Sequence, residues 1–268
     1  MEFEEYKLWF KEYVHKFYSG ADEQDEENIR LKEDHSLRVL KNAQAIAQDE
    51  GLDSRLYFLT SLAALFHDIG RFEQYARFKT FNDKLSLDHA RLGYEILKRE
   101  KILNNLPFKE ARNVLIAVLL HNRLTLPQKL PSDLQMIVQI VRDADKLDIF
   151  PVVLSYVQPG ARQNKVVTLG LKDDPEAVSE TILAQVQGER LANYKDMVYI
   201  NDFKLLLLSW VFDLNFAFTC REVLRRGYVQ SLISLLPRTN SIVFLEHKLL
   251  LFLQKRAGEQ IDVNIART

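Results

Sequence analysis

The chain has 268 residues, within the range of one large domain or two small ones. Lys+Arg 36 against Asp+Glu 37 leaves a net charge of −1, so a surface that binds long nucleic acid or acidic membrane along its whole extent is excluded. Gly 9 and Pro 7, about 6% of the chain, are too few turn residues for an all-β fold and point to long helices. The single cysteine, Cys220, excludes an internal disulfide framework and fits a reducing, cytoplasmic setting. An acidic start, Met1-Glu2-Phe3-Glu4-Glu5, is unlike an export signal. The most apolar stretch, Leu205 to Phe218, is interrupted by Asp213 and Asn215 and is shorter than the ~20 residues of a membrane span.

In chain order, residues 2–18 read as an aromatic-rich helix closed by Ser19-Gly20, and 21–28 as an acidic loop or helix start. Helical periodicity follows at about 35–48, with Val39, Ala43, Ile46 and Ala47 on one face, and at about 55–69, stopping at Gly70. Residues 70–86 read as a loop of interleaved cations and aromatics, a candidate lid or a core plug. Further helices are expected at about 87–100, 109–122 and 133–149, the last halted by Pro151, then at 175–188, 202–219 and 241–256. Residues 156–172 read as irregular, with Val166-Val167-Thr168 as a short extended piece. The expected fold is all-α: a functional domain over 1–155 and an accessory C-terminal helical region over 156–268 packed on it. The Leu205–Phe218 and Leu249–Leu253 runs are either core or the face of a homodimer.

Four of the six histidines form two pairs. His35 and His67 are 32 residues apart about a midpoint at Gly51, in the turn Asp49–Ser54. His89 and His121 are also 32 apart, about Asn105, in the turn before Pro107. Residues equidistant from the turn of a helical hairpin lie at the same height on its two helices. Each pair therefore sits at the open end of a hairpin, and the 70–86 segment joins the two ends. His35 shares a face with Val39 and Asn42, His67 with Ala63 and Thr60, His89 with Gly93 and Ile96, and His121 with Ala117 and Val114. One such histidine is ordinary core; four converging beside carboxylates point to metal. Asp68 follows His67 directly, and Asp145 lies on the apolar face of Val141 and Val138, where an acid needs a partner: a metal, or a salt bridge to Arg142 or Lys146.

His35, then His67-Asp68, then Asp145 resemble the H…HD…D signature of the HD-domain superfamily, and His67-Asp68-Ile69-Gly70-Arg71 its HDIG variant, over about residues 30–150. The resemblance implies an all-α helical bundle and metal-dependent phosphohydrolase chemistry. It implies a first metal held by His35, His67, Asp68 and Asp145, with Asp68 bridging to a second held by His89 and His121. Single-metal nucleotidases of the superfamily lack the two added histidines. The cyclic-di-GMP phosphodiesterase branch has a later Gly-Tyr-Pro, and here Gly93-Tyr94-Glu95 departs from it. The same ligand set occurs in inositol oxygenase and a phosphonate-cleaving oxygenase, and a non-catalytic signalling module is a third reading. The implied cofactors are two divalent transition metal ions (Fe, Mn, Zn or Ni). The expected substrate is a small phosphorylated molecule, a nucleotide first, with Asp68, Arg71 and Lys146 as catalytic groups and Arg71, Lys79 and Lys84 as substrate-binding cations. Arg38, one turn beyond His35, reads as a surface cation.

Overall fold

The computed structural model describes residues 1–161 and 164–258. Among them the chain is all-α, with no strand; an isolated parallel bridge joins Lys172 and Tyr199. Contacts divide the chain into two compact units, Met1–Asp148 and the residues from Ile149 onward, a division inside one helix and ahead of the 155/156 boundary read from the sequence.

In the first unit the helices are α1 (Phe3–His15), α2 (Glu23–Asp49), α3 (Ser54–Phe66), α4 (Gly70–Phe78), α5 (His89–Arg99), α6 (Phe108–Leu120) and the start of α7 (Ser132–Val157). The acidic run at 21–28 is a helix start: Asp22 caps α2 by accepting from Asp25 N at 2.8 Å, and Glu23, Asp25 and Glu26 occupy its first turn, where the helix dipole favours negative charge. That cap carries α2 twelve residues ahead of the apolar periodicity, which alone marked its start near 35. Asp53 and Asp88 cap α3 and α5 in the same manner. Two helical hairpins result, α2 against α3 and α5 against α6, with α3 packed on α6 and α4 on α5. Helix α1 closes the unit with Tyr6 and Phe10, both fully buried, whose rings meet Phe66 and Phe72 edge-on at 6.4 and 6.0 Å.

Two expectations are corrected here. The 70–86 segment is not a loop throughout. Gly70–Phe78 forms α4, with Phe72 and Tyr75 buried in the core, and only the residues after Lys79 are irregular. Pro151 does not stop α7, which continues to Val157. Proline removes one backbone donor, and the buried Phe150, Val153 and Leu154 around it keep the turn in place.

The second unit contains α8 (Glu180–Gln187), α9 (Ile200–Ser209), α10 (Ala217–Arg225), α11 (Tyr228–Ile233) and α12 (Asn240–Ala257). The single helix expected at 202–219 is broken: Trp210–Asp213 is a 3-10 turn, and Leu214 and Phe216 are extended before α10. Val166-Val167-Thr168 is a turn, not an extended piece; the amides of Val167 and Thr168 both donate to Asn164 O. Leu205, Leu207, Leu208, Val211, Leu249 and Leu253 are all fully buried within the chain, which withdraws these side chains as a dimer face. Among the described residues no helix is long and apolar enough to cross a membrane.

Candidate metal centre

His67 and His121 cap the C-termini of α3 and α6, while His35 lies within α2 and His89 opens α5. The two hairpins thus bring the four imidazoles to one place, all of them buried, with His35 and His67 centroids 5.2 Å apart, His67 and His121 5.1 Å, and His89 and His121 5.0 Å.

Each ring has its Nδ1 committed. In His67 and His121 it lies 2.8 and 2.7 Å from the carbonyl oxygens of Ala64 and Val118, three residues back along each helix. A carbonyl only accepts, so Nδ1 carries the proton. In His35 and His89 it lies 2.7 Å from Asp148 Oδ2 and 2.7 Å from Asp83 Oδ2. All four Nε2 atoms are left to turn inward with their lone pairs. They meet in pairs, His35 to His67 at 3.3 Å and His89 to His121 at 3.1 Å.

Two carboxylates complete the cluster. Asp68 Oδ2 lies 3.6 and 3.9 Å from Nε2 of His35 and His67, and its Oδ1 lies 3.3 and 3.8 Å from Nε2 of His89 and His121. One carboxylate therefore divides its two oxygens between the two pairs. Asp145 Oδ1 faces His35 Nε2 at 3.1 Å and His67 Nε2 at 3.7 Å, and it is buried without a hydrogen-bond donor. Lone pairs facing lone pairs, with a buried orphan carboxylate oxygen, fit a cation rather than a packed core. Two ligand groups follow, His35, His67 and Asp145 in one and Asp68, His89 and His121 in the other. A proton on His35 relieves one of these contacts; a divalent ion in each group relieves them all.

Electrostatics keep the acids ionised. Burial pushes Asp68 up, but Lys32, Arg71 and His67 hold it well below the usual carboxylate range. Burial opposes the ionised form of Asp145 too, and the His35 and His67 imidazoles beside it outweigh that, holding its carboxyl well below the usual range. For His35, burial and Lys32 work downward, yet Asp145 and Asp148 raise it above its ordinary value. Burial, with Arg71 beside it, pushes His89 down to about 4.

Several partners of this cluster were not expected from the sequence. Asp148 holds His35, and Arg38 donates to it through Nε at 2.7 Å and a terminal nitrogen at 3.1 Å, so Arg38 is more than a surface cation. The spacing from Asp145 to Asp148, one turn of α7, is the signal that was available. Lys32, one turn before His35 on α2, places Nζ 2.7 Å from Asp68 Oδ2. Asp83 lies in the segment read as a lid or a core plug. Asp88 belongs to a third acidic group with Asp83 and His89, but it serves as the cap of α5 and pairs with Arg123 at 3.1 Å.

The predicted substrate cations fall differently. Arg71 has Nε 3.4 Å from Asp68 Oδ1, and one terminal nitrogen donates to Gln74 Oε1, Phe81 O and Asp83 Oδ1. One of its three guanidinium nitrogens is therefore bound to the protein, while Nε, 3.4 Å from Asp68, makes no hydrogen bond. Lys79 caps α4 in the left-handed conformation, φ 52°, and pairs with Asp25 on the first turn of α2. Lys84 is exposed on the following loop, and Lys146 is buried on α7. Gly70 is required by a close crossing: a Cβ there would lie 2.1 Å from the His89 carbonyl oxygen. Arg142 fastens the chain beyond α6 by donating to the carbonyls of His121, at 3.1 Å, and Arg123.

Fold and site together define a helical His/Asp domain able to hold divalent metal. Residues 33–149 match the family model of the HD domain, and this segment of the chain is an HD domain. HD domains bind divalent metals and are typically metal-dependent hydrolases. Comparison with curated proteins and with solved structures gives no match.

Proposed function

We propose that the chain hydrolyses a phosphate ester or anhydride in a small soluble molecule, a nucleotide first, at two divalent metal ions. One ion is held by His35, His67 and Asp145, the other by His89 and His121, with Asp68 shared between them. The observation that carries this reading is the division of Asp68: Oδ2 toward one histidine pair, Oδ1 toward the other. When bound, a metal pair supplies an acidified water and Lewis-acid contacts to phosphoryl oxygens.

The chain's own residues do the rest. The Nδ1 bonds hold every imidazole in the tautomer that ligates, and keep the rings from turning. Lys32 and Arg71, with side chains 16% and 15% exposed and both facing Asp68, are the cations at the edge of the cluster that would meet a phosphoryl oxygen. The Lys32 Nζ also lies over the Phe81 ring, 5.4 Å from the centroid, and that half-buried ring offers a flat apolar surface for a nucleobase.

The test pairs elemental analysis of protein purified without added metal with a phosphohydrolase panel run in air and without oxygen. Two ions per chain and oxygen-independent release of phosphate or nucleotide are expected. Turnover that requires oxygen and releases neither moves the chain to the oxygenase reading. No turnover with Fe, Mn, Zn or Ni supplied favours the signalling-module reading.

A further inference from the structure

We infer that Asp83 is a positioning residue for His89, and that the half-site it serves is the exchangeable one of the two. This rests on the two-ion reading and adds an order of occupancy to it.

Both hairpins use the same device, a carboxylate on an imidazole Nδ1 with an arginine holding the carboxylate. In the first half-site the device is Asp148 on His35, held by Arg38 through two nitrogens. In the second it is Asp83 on His89, held by Arg71 at 2.9 Å and by Gln74 Nε2 at 2.8 Å. The supports differ. Asp148 is part of a long helix and its side chain is 5% exposed, while Asp83 lies on the irregular segment between α4 and α5 with its side chain 33% exposed.

That segment is tied down from one side. Arg71 and Gln74, a turn apart on α4, reach across to Phe81 O at 2.6 Å, Ser86 Oγ at 2.8 Å and Leu87 O at 2.7 Å, besides Asp83. The segment after α4, read from the sequence as part of a lid or a core plug, is therefore a strap, and its cargo is the orientation of His89. A carboxylate on a strap, partly open to water, holds its imidazole less rigidly than one inside a helix. Water competes for its lone pairs and the backbone beneath it has no ladder of its own. Loss of a carboxylate behind a ligating histidine typically costs about 10–100-fold in metal affinity. Arg71 thus acts through Asp83 on His89, in addition to facing Asp68.

The experiment is a metal titration of the full chain with Mn(II) or Co(II), after chelator treatment and dialysis, with bound metal counted by elemental analysis. Wild type should bind two ions in two steps of unequal affinity. Asp83→Ala should lose the weaker step and keep the tighter one. Asp145→Ala should remove the tighter step, and the double variant should bind neither ion. Asp83→Asn, which still accepts from His89 Nδ1 but without charge, should weaken the same step about tenfold and covers the event that Asp83→Ala does not fold. Two wild-type steps with Asp83→Ala or Asp83→Asn retaining both unchanged, or losing the tighter one, would overturn the inference alone. A folded Asp83 variant that loses both ions would do the same, since it would mean a general structural role. Fewer than two ions in wild type would overturn the two-ion reading beneath it.

Discussion

Gly70→Ala should be far more damaging than its single added methyl suggests. The residue starts α4 in ordinary helical conformation, so φ is not at issue; space is. The new Cβ would meet His89 O at 2.1 Å, Gly93 N at 2.7 Å and His89 C at 3.1 Å, all backbone atoms of α5. Ordinary contact begins at 3.4 Å, so α4 and α5 must separate locally by about 1.3 Å, the difference between 3.4 and 2.1. No rotamer change can supply that, and overpacking of this kind costs about 1–3 kcal/mol, with backbone clashes at the upper end. Gly93→Ala, at the same crossing, is the control. Its tight contacts are side chains, Ile69 Cγ2 and Val118 Cγ1 at 3.2 Å, the one backbone neighbour, Gly70 N, lies at an ordinary 3.4 Å, and helix propensity favours alanine by about 1 kcal/mol.

Urea unfolding followed by Trp9 fluorescence in a Trp210→Phe background reports on the first unit alone. A loss of about 3 kcal/mol is expected for Gly70→Ala, and a change within about 1 kcal/mol for Gly93→Ala. Because the displaced atom is the His89 carbonyl, Gly70→Ala should also lose the ion held with His121. Equal stability of the two variants, both with full metal content, would refute the reasoning.

Asp68→Ala should abolish binding of both ions. It should also destabilise the metal-free chain by about 3 kcal/mol, because Lys32 and Arg71 lose the carboxylate they share in a buried setting; elemental analysis and a urea melt check both halves. Glu222 is held down to about 2 by the hydrogen bond from Arg225, against partial burial and with help from Arg226. Its folded value lies below the ordinary 4.5, so its stabilisation is present above about pH 4.5 and is lost as pH falls through about 2. The stability gap between wild type and Glu222→Gln at pH 6 should therefore close by pH 2 in acid titrations monitored by circular dichroism. Thr60 is 1% exposed and its hydroxyl has no hydrogen-bond partner, so Thr60→Val should raise the urea midpoint, by about 1 kcal/mol of stability.

The hairpins and their histidines were legible in the sequence because both depend on local rules. Helical rise is uniform, so two pairs 32 residues apart about turn-forming segments must end level with each other. Apolar periodicity marks which face turns inward. Helix starts were less legible where a polar cap and an acidic first turn, as at Asp22, run ahead of the apolar stripe. Pro151 reads as a stop in the sequence because the local penalty is visible there and the burial that offsets it is not. Tertiary structure decided what stands behind the ligands; the one-turn spacing of Asp145 and Asp148 marks a shared face of α7 but not the imidazole it meets. Asp148 reaches His35 across 113 positions, and Lys32 reaches Asp68 across 36. No period links such residues, since a carboxylate or an ammonium is placed there by helix packing. Arg71 shows the same limit: beside the HDIG run its charge reads as a grip for phosphate. Only the path of residues 79–88 over α4 brings Phe81 O and Asp83 to its guanidinium and makes it a support for His89.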